Sequence, residues 1–400
     1  MTTPPNHALV FGASGIIGWA FVNEILQDYP APNTFSRVTA FTNRPLSPKI
    51  SQWPPSDKLH LISNLDLIHT DPTSLSTFLQ SHLPDLETVT TVYFCAYIFS
   101  PDPAKETALN IHMLRTTVEV VESLCPNFRM LVLPTGVKAY GVHLLTSFPF
   151  ATHLPLRETH PPLPEPHATQ LFYTHQHALL QELSASKKWS YIDLRPDIVV
   201  GFVPNNNQHS LAQWLALYLS LYRYIHGRGA VVPFPGTERS WAARAQDSSQ
   251  DVIARLGVFL SLQPRNEVGG QSFNVADTKV PGTWAGKWAV LCEYFGLVGV
   301  GPEEGEGLDP AEFLLQHQAE RGEMAREYGL KGGHGTAEDG VSLSHVPSFL
   351  MKGFDFDRPL DLGKMHRVWG DGAEERDARG TWWAVFDRYK AAGIIPDFER

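Results

Sequence analysis

The run "HALVFGASGIIGWAFVNEILQD", residues 7–28, decides the fold. Its first part is short, apolar and uninterrupted, the pattern of a strand buried on both faces. From Gly15 onward the apolar residues Ile17, Phe21, Val22, Ile25 and Leu26 recur at helical spacing. Between strand and helix stand Gly12, Gly15 and Gly18, three apart, interleaved with Ser14, Ile16 and Ile17. Glycine permits a tight turn and a close approach of backbone to a ligand. The start of the helix adds free N–H groups and a positive dipole end. Strand, glycine turn and helix in that order predict a cradle for the pyrophosphate of a dinucleotide.

The same alternation continues outward. "RVTAFTN" (37–43), "KLHLISNLDL" (58–67), "VTTVYFCAY" (89–97), "FRMLVLPTG" (128–136) and "YIDLRPDIVVG" (191–201) read as strands two to six. Residues 104–125 place Ile111, Leu114, Val118 and Val121 on one helical face, and residues 168–183 read as a further helix. Strand–helix–strand order requires crossover connections, so the expected fold is α/β: a Rossmann-type, doubly wound parallel sheet. Beyond it lie long helical stretches, "LAQWLALYLSLYRYI", "DVIARLGVFLSL" and "TWAGKWAVLCEYFG". They predict a smaller, mainly helical C-terminal lobe. The expected division is a dinucleotide-binding domain over 1–203 and a substrate lobe over 204–400, with about 230–280 returning to the first. The aromatic series Trp214, Tyr218, Tyr222 and Tyr224 reads as core at helical spacing.

Composition narrows the partners. A formal net charge of −10 disfavours nucleic acid, whose phosphates it repels. Residues 301–340 hold ten acids against three Lys and Arg and many glycines, and read as a solvated, mobile excursion. Cys95, Cys125 and Cys292 form no CxxC pair, so a reducing compartment is expected. Neither a signal peptide nor a membrane span is read, and a cytoplasmic location follows as an expectation. Histidines 175, 177, 209 and 226 have no metal-ligand spacing, and no metal is expected.

Candidate site residues follow from the strand ends. The second strand closes on Asn43 and Arg44, where an acid would otherwise accept from a ribose 2′-hydroxyl. A guanidinium pairs with a 2′-phosphate, so NADPH is favoured, with NADH left open. Asp66 and Leu67, after strand three, are expected to bracket the adenine. The Tyr-x-x-x-Lys pair of short-chain dehydrogenases is missing: Tyr173 is followed four residues on by His177. Lys138, in the turn "LPTGVKAYG" after strand five, reads on its own as a solvated turn residue.

These pieces together resemble the progesterone 5β-reductase/iridoid synthase-like group of extended short-chain dehydrogenases. The similar segments keep one order over nearly the whole chain: "GASGIIG", "TNRP", "TVYFCAY", "LPTGVKAYG", "FYTHQHALLQE", "WSYIDLRPDIVVGFVP", "PFPGTERSW", "QSFNVAD" and "KAAGIIPDF". The sequence departs at Asn43, where the family has an arginine, at Pro134, where it has a glutamine, and at Gln176 and His177, where it has acids. The resemblance implies that Lys138 and Tyr173 converge as catalytic residues at a bound nicotinamide. It also implies that Thr135, Ile198 and Val199 border the cofactor. The implied activity is NADPH-dependent reduction of an activated C=C bond in an enone or enal. A carbonyl reductase, an isomerase or epimerase, and a non-catalytic dinucleotide sensor are the alternatives. The expected partner is a small-molecule substrate, with assembly into a homodimer left open.

Overall fold

The computed structural model describes residues 6–204, 209–303, 309–331 and 346–398. Its strands are β1 (Asn6–Phe11), β2 (Phe35–Phe41), β3 (Leu59–Ile62), β4 (Val89–Phe94), β5 (Met130–Pro134), β6 (Ser190–Pro196), β7 (Val199–Val200), β8 (Val231–Pro233), β9 (Ser248–Ser249), β10 (Gln271–Val275) and β11 (Val298–Val300). Seven of them form one parallel sheet in the order β10-β6-β5-β4-β1-β2-β3. The strand order reverses between β1 and β4, so the carboxyl ends of these two strands open a crevice.

β1 lies inside the sheet between β4 and β2, and its alternate side chains serve two cores. Ala8 and Val10 join Trp19, Phe21 and Tyr93 on one face. Leu9 and Phe11 join Phe94, Leu114 and Val118 on the other. That alternation is the period of a strand, and both faces are apolar because helices cover both. The helices Ile16–Leu26 and Gln250–Ser261 pack on the first face, and Pro72–His82, Pro103–Leu124 and Phe172–Ser184 on the second. Gly257 marks the crossing of the first two, since a Cβ there would lie 2.7 Å from the Phe21 ring.

Three expectations need correction. The sixth strand is not continuous to Gly201. β6 stops at Pro196, and β7 leaves the sheet to pair with β9. The break falls at Asp197, whose N–H donates to Ser248 Oγ at 3.0 Å and whose carboxylate meets Arg358 at 2.8 Å. The helix read over 168–183 is two helices, His167–Gln170 and Phe172–Ser184, broken at extended Leu171. The acidic stretch is a solvated excursion only in part where it is described: Gln318–Tyr328 buries Met324 alone, but Pro310–Gln316 packs inward. Asp309 caps the helix Pro310–Gln316 by accepting from the Ala311 N–H at 2.8 Å. Phe313 is buried with its ring 5.5 Å from Tyr222 and 5.2 Å from Tyr218. Residues 304–308 and 332–340 of that stretch lie outside the described residues.

A seventh sheet strand, β10, joins the edge beyond β6. The segment behind it carries a buried carboxylate with a measurable consequence. Asp277 accepts from the Ser249 N–H and hydroxyl and from the Thr381 hydroxyl. Burial dominates these bonds and pushes its carboxyl up to about 6. A carboxyl raised from 3.8 binds its proton more tightly in the folded chain, so stability falls as pH rises from about 4 through about 6. Asp277→Asn keeps the shape and, on its one acceptor oxygen, both Ser249 bonds, while the Thr381 hydroxyl turns to accept from the new amide, all without the charge. It is expected to be more stable than the parent chain at pH 7, by up to ~3 kcal/mol, and to equal it near pH 4. Thermal denaturation at the two pH values checks this.

Candidate active site

The glycine turn fits a dinucleotide by the way its three glycines divide their work. Gly12 has φ +78°, and a Cβ there would lie 2.7 Å from the backbone of Cys95 and Ala96 at the end of β4. A Cβ on Gly18 would lie 2.3 Å from the Gly12 carbonyl oxygen. Both positions are therefore demanded by the protein's own packing. At Gly15 a Cβ would meet only the Gly12 carbonyl oxygen, at 3.3 Å, and otherwise open space. The space above Gly15 faces the first turn of the helix, where the N–H groups of Ile16, Ile17 and Gly18 have no helical acceptor. A pyrophosphate would be held there, with Ser14 beside it.

At the end of β2, Asn43 and Arg44 are exposed, and the turn beneath them is fixed by the Thr42 hydroxyl donating to the Arg44 carbonyl at 2.7 Å. Asp66 is engaged locally: it accepts from the Ile68 N–H at 3.0 Å and meets His69 at 2.9 Å. Leu67 is buried in the core that holds Phe41, so only its backbone would be open to an adenine. Ile198 and Val199 are half-buried where β6 gives way to β7.

The end of β5 carries the polar centre. Tyr173 lies in the first turn of its helix, and its hydroxyl donates to the Thr135 carbonyl at 3.1 Å. The break at Leu171 sets that first turn over the strand end. Burial pushes the Tyr173 phenol well above its ordinary range, and the charges of Asp193 and Glu106 push the same way. Thr135 turns its hydroxyl inward to Asp193 rather than toward the crevice. Lys138 follows in a short 3-10 turn, Val137–Tyr140, and is half-buried, not solvated. Burial lowers its ammonium's pKa while Glu106 works against the shift. Its charge in turn reaches His143, which burial brings down to about 4, and His209. Tyr173 and Lys138 thus share the β5 end and the field of one carboxylate, Glu106.

Glu106 is a residue the sequence reading missed. It accepts from the Tyr97 hydroxyl at 2.6 Å, and its helix is tied to the β4 loop by Asn110, which bonds both the N–H and the carbonyl of Ile98. Tyr97 stacks on Phe172 at 5.4 Å, and Tyr97 and Phe99 keep 44% and 52% of their surface exposed. These two rings, two residues apart on the β4 loop, leave an apolar rim beside the Phe172–Ser184 helix. A second missed group is Asp193, fully buried on β6, with Arg195 Nε at 2.6 Å and His177 Nε2 at 2.9 Å. A signal for it exists in "YIDLRP": an acid and a base two apart, on one face of an otherwise apolar strand. Among the described residues, no cluster of three or more His, Cys, Asp or Glu could hold a metal ion, and no helix is long and apolar enough to cross a membrane.

Known proteins resemble this chain over nearly its whole length. A family model described as a PRISE-like Rossmann-fold domain matches residues 8–396. The short chain dehydrogenase ausT of Aspergillus calidoustus is 35% identical over 97% of this chain and 94% of its own length. The 3-oxo-Delta(4,5)-steroid 5-beta-reductase of Arabidopsis thaliana is 24% identical over 97% and 93%. Among solved structures, the UDP-glucuronic acid 4-epimerase from Bacillus cereus in complex with NAD superposes with a TM-score of 0.58 at 13% identity, over 96% of this chain and 99% of that one. That likeness is one of fold.

Proposed function

Because the chain belongs to the PRISE-like Rossmann-fold family and is an oxidoreductase of the short-chain dehydrogenase type, we propose that it reduces the activated C=C bond of an enone or enal with NADPH. The observation that carries this reading is the Tyr173 phenol, half-buried at the end of β5 beside the Lys138 turn, with the glycine cradle two strands away. When bound, the reduced nicotinamide supplies a hydride to the β-carbon of the conjugated carbonyl.

The chain's own groups manage the charge that results. Negative charge collects on the carbonyl oxygen, and the Tyr173 hydroxyl donates a hydrogen bond to it. Leaving the Thr135 carbonyl for the substrate exchanges one acceptor for a stronger, charged one. Lys138 adds a positive field at the same strand end. At 4 Å and an effective dielectric near 20, an ammonium is worth about 4 kcal/mol to a full negative charge. The rim of Tyr97 and Phe99 suits the apolar body of the substrate. Arg44, exposed at the β2 end with no carboxylate at Asn43, suits a 2′-phosphate.

The test is NADPH oxidation with a panel of enals and enones, followed by product analysis. A saturated carbonyl product supports 1,4-delivery. An allylic alcohol would replace the reading with carbonyl reduction, and binding without oxidation across the panel would replace it with a sensor. In the same assay, Arg44→Ala is expected to weaken NADPH by roughly tenfold or more, the value of a charge-assisted pair, and to leave NADH nearly unchanged. Equal effects on both cofactors would remove the 2′-phosphate assignment.

A further inference from the structure

We propose that His177 and Asp193 are positioning residues, which lock Tyr173 and the Lys138 turn in working register. The inference rests on the reading of Tyr173 as the group that meets the substrate carbonyl. Its basis is a closed ring of contacts. The Tyr173 hydroxyl donates to the Thr135 carbonyl at 3.1 Å. The Thr135 hydroxyl donates to Asp193 Oδ1. Asp193 Oδ2 meets His177 Nε2 at 2.9 Å, and His177 stands one helical turn beyond Tyr173 on the same face. The carboxylate ties His177 to the Thr135 hydroxyl, and the Thr135 carbonyl holds Tyr173, so two points of the helix are tied to one residue at the β5 end.

Without that ring, the phenol would be held by a single hydroxyl–carbonyl bond, and the broken helix at Leu171 would leave the first turn free to shift. The ring also extends to the lysine. Arg195 donates to Asp193 at 2.6 Å and lies 5.2 Å over the ring of Tyr140, two residues past Lys138. The Tyr140 hydroxyl is fixed in turn by Asn274 at 2.6 Å. Burial alone would raise the Asp193 carboxyl, but Arg195, His177 and the Thr135 hydroxyl outweigh it and hold the carboxyl well below its usual range. The clamp thus stays ionised, and His177 must carry a proton on Nε2 to donate to it. In the position where a short-chain dehydrogenase would carry its lysine, this chain has a histidine turned inward to a carboxylate.

The test uses the full chain with NADPH. His177 keeps 26% of its side chain exposed, so His177→Leu is expected to fold. A small misplacement of a catalytic group costs up to about 10²-fold in rate, so His177→Leu should lose at least ~10-fold in kcat, with KM for the enal and Kd for NADPH changed less than about threefold. His177→Gln, whose Nε2 can donate to the same oxygen, should recover kcat to within about threefold. Crystal structures of both variants with NADPH should show the Tyr173 hydroxyl displaced from Thr135 in the leucine variant and retained in the glutamine variant. The proposal is overturned if His177→Leu keeps kcat within about twofold, or if both variants lose rate in step with a lowered Tm while Tyr173 stays in place. If the parent chain oxidises NADPH with no enal or enone, the functional reading falls. The crystal comparison then decides the clamp alone: an unmoved Tyr173 in His177→Leu ends it.

Discussion

Tyr173→Phe is expected to lower kcat by roughly 10²–10³-fold, the loss seen when one oxyanion donor is removed, or ~3–4 kcal/mol of barrier. NADPH affinity should stay within about twofold, because the hydroxyl serves the reacting oxygen and not the cofactor. The ring itself remains, packed 4.5 Å from Phe172, so the helix keeps its seat. The pH profile adds a second check. The half-buried phenol, with Asp193 and Glu106 nearby, is held above its ordinary range and remains a donor at every pH below about 10. An alkaline loss of rate below that point is expected from Lys138, whose burial lowers its pKa from 10.5. Loss of charge on Lys138 with rising pH removes the field on the developing oxyanion, so the sign is a fall in kcat. Full activity of Tyr173→Phe would remove the hydride chemistry from this strand end.

Much of this was legible in the sequence because the information was local. The glycine turn declares itself through spacing, and the central strands through unbroken apolar runs. What the sequence hid was made by distance along the chain. His177 and Asp193 are 16 residues apart and Thr135 and Asp193 are 58, so no window contains the clamp. Residue type pointed the wrong way for Lys138, since a lysine in a glycine turn is usually wet. Here the turn packs against β6, and its leading Gly136 would set a Cβ 3.7 Å from the Tyr173 hydroxyl. The sixth strand ran on in apolar pattern through Val199 and Val200, yet it breaks because Asp197 finds Ser248 and Arg358, which lie far along the chain. The acidic stretch misled in the same way: charge dominates its composition, but Phe313 and Leu314 decide where residues 310–316 pack.

The glycine turn offers the sharpest separation between fold and ligand. Gly18→Ala would set a Cβ 2.3 Å from the Gly12 carbonyl oxygen, and that oxygen already accepts from the Gly15 N–H at 3.0 Å. Alanine's gain in helix propensity, about 1 kcal/mol, does not offset a backbone clash. A loss of about 2–4 kcal/mol in stability is expected, whether or not a dinucleotide is present. Gly15 is different. Its φ of −82° suits any residue, and an added Cβ meets one oxygen at 3.3 Å. Gly15→Ala should therefore keep Tm within about 2 °C, while the methyl group occupies the ground the pyrophosphate needs. A rise in dinucleotide Kd of about 100-fold, or ~2.7 kcal/mol, is the expected result. Isothermal titration with NADPH, beside a melting curve for each variant, reads both quantities. If Gly15→Ala binds NADPH as tightly as the parent chain, no pyrophosphate approaches this turn, and the dinucleotide must lie elsewhere.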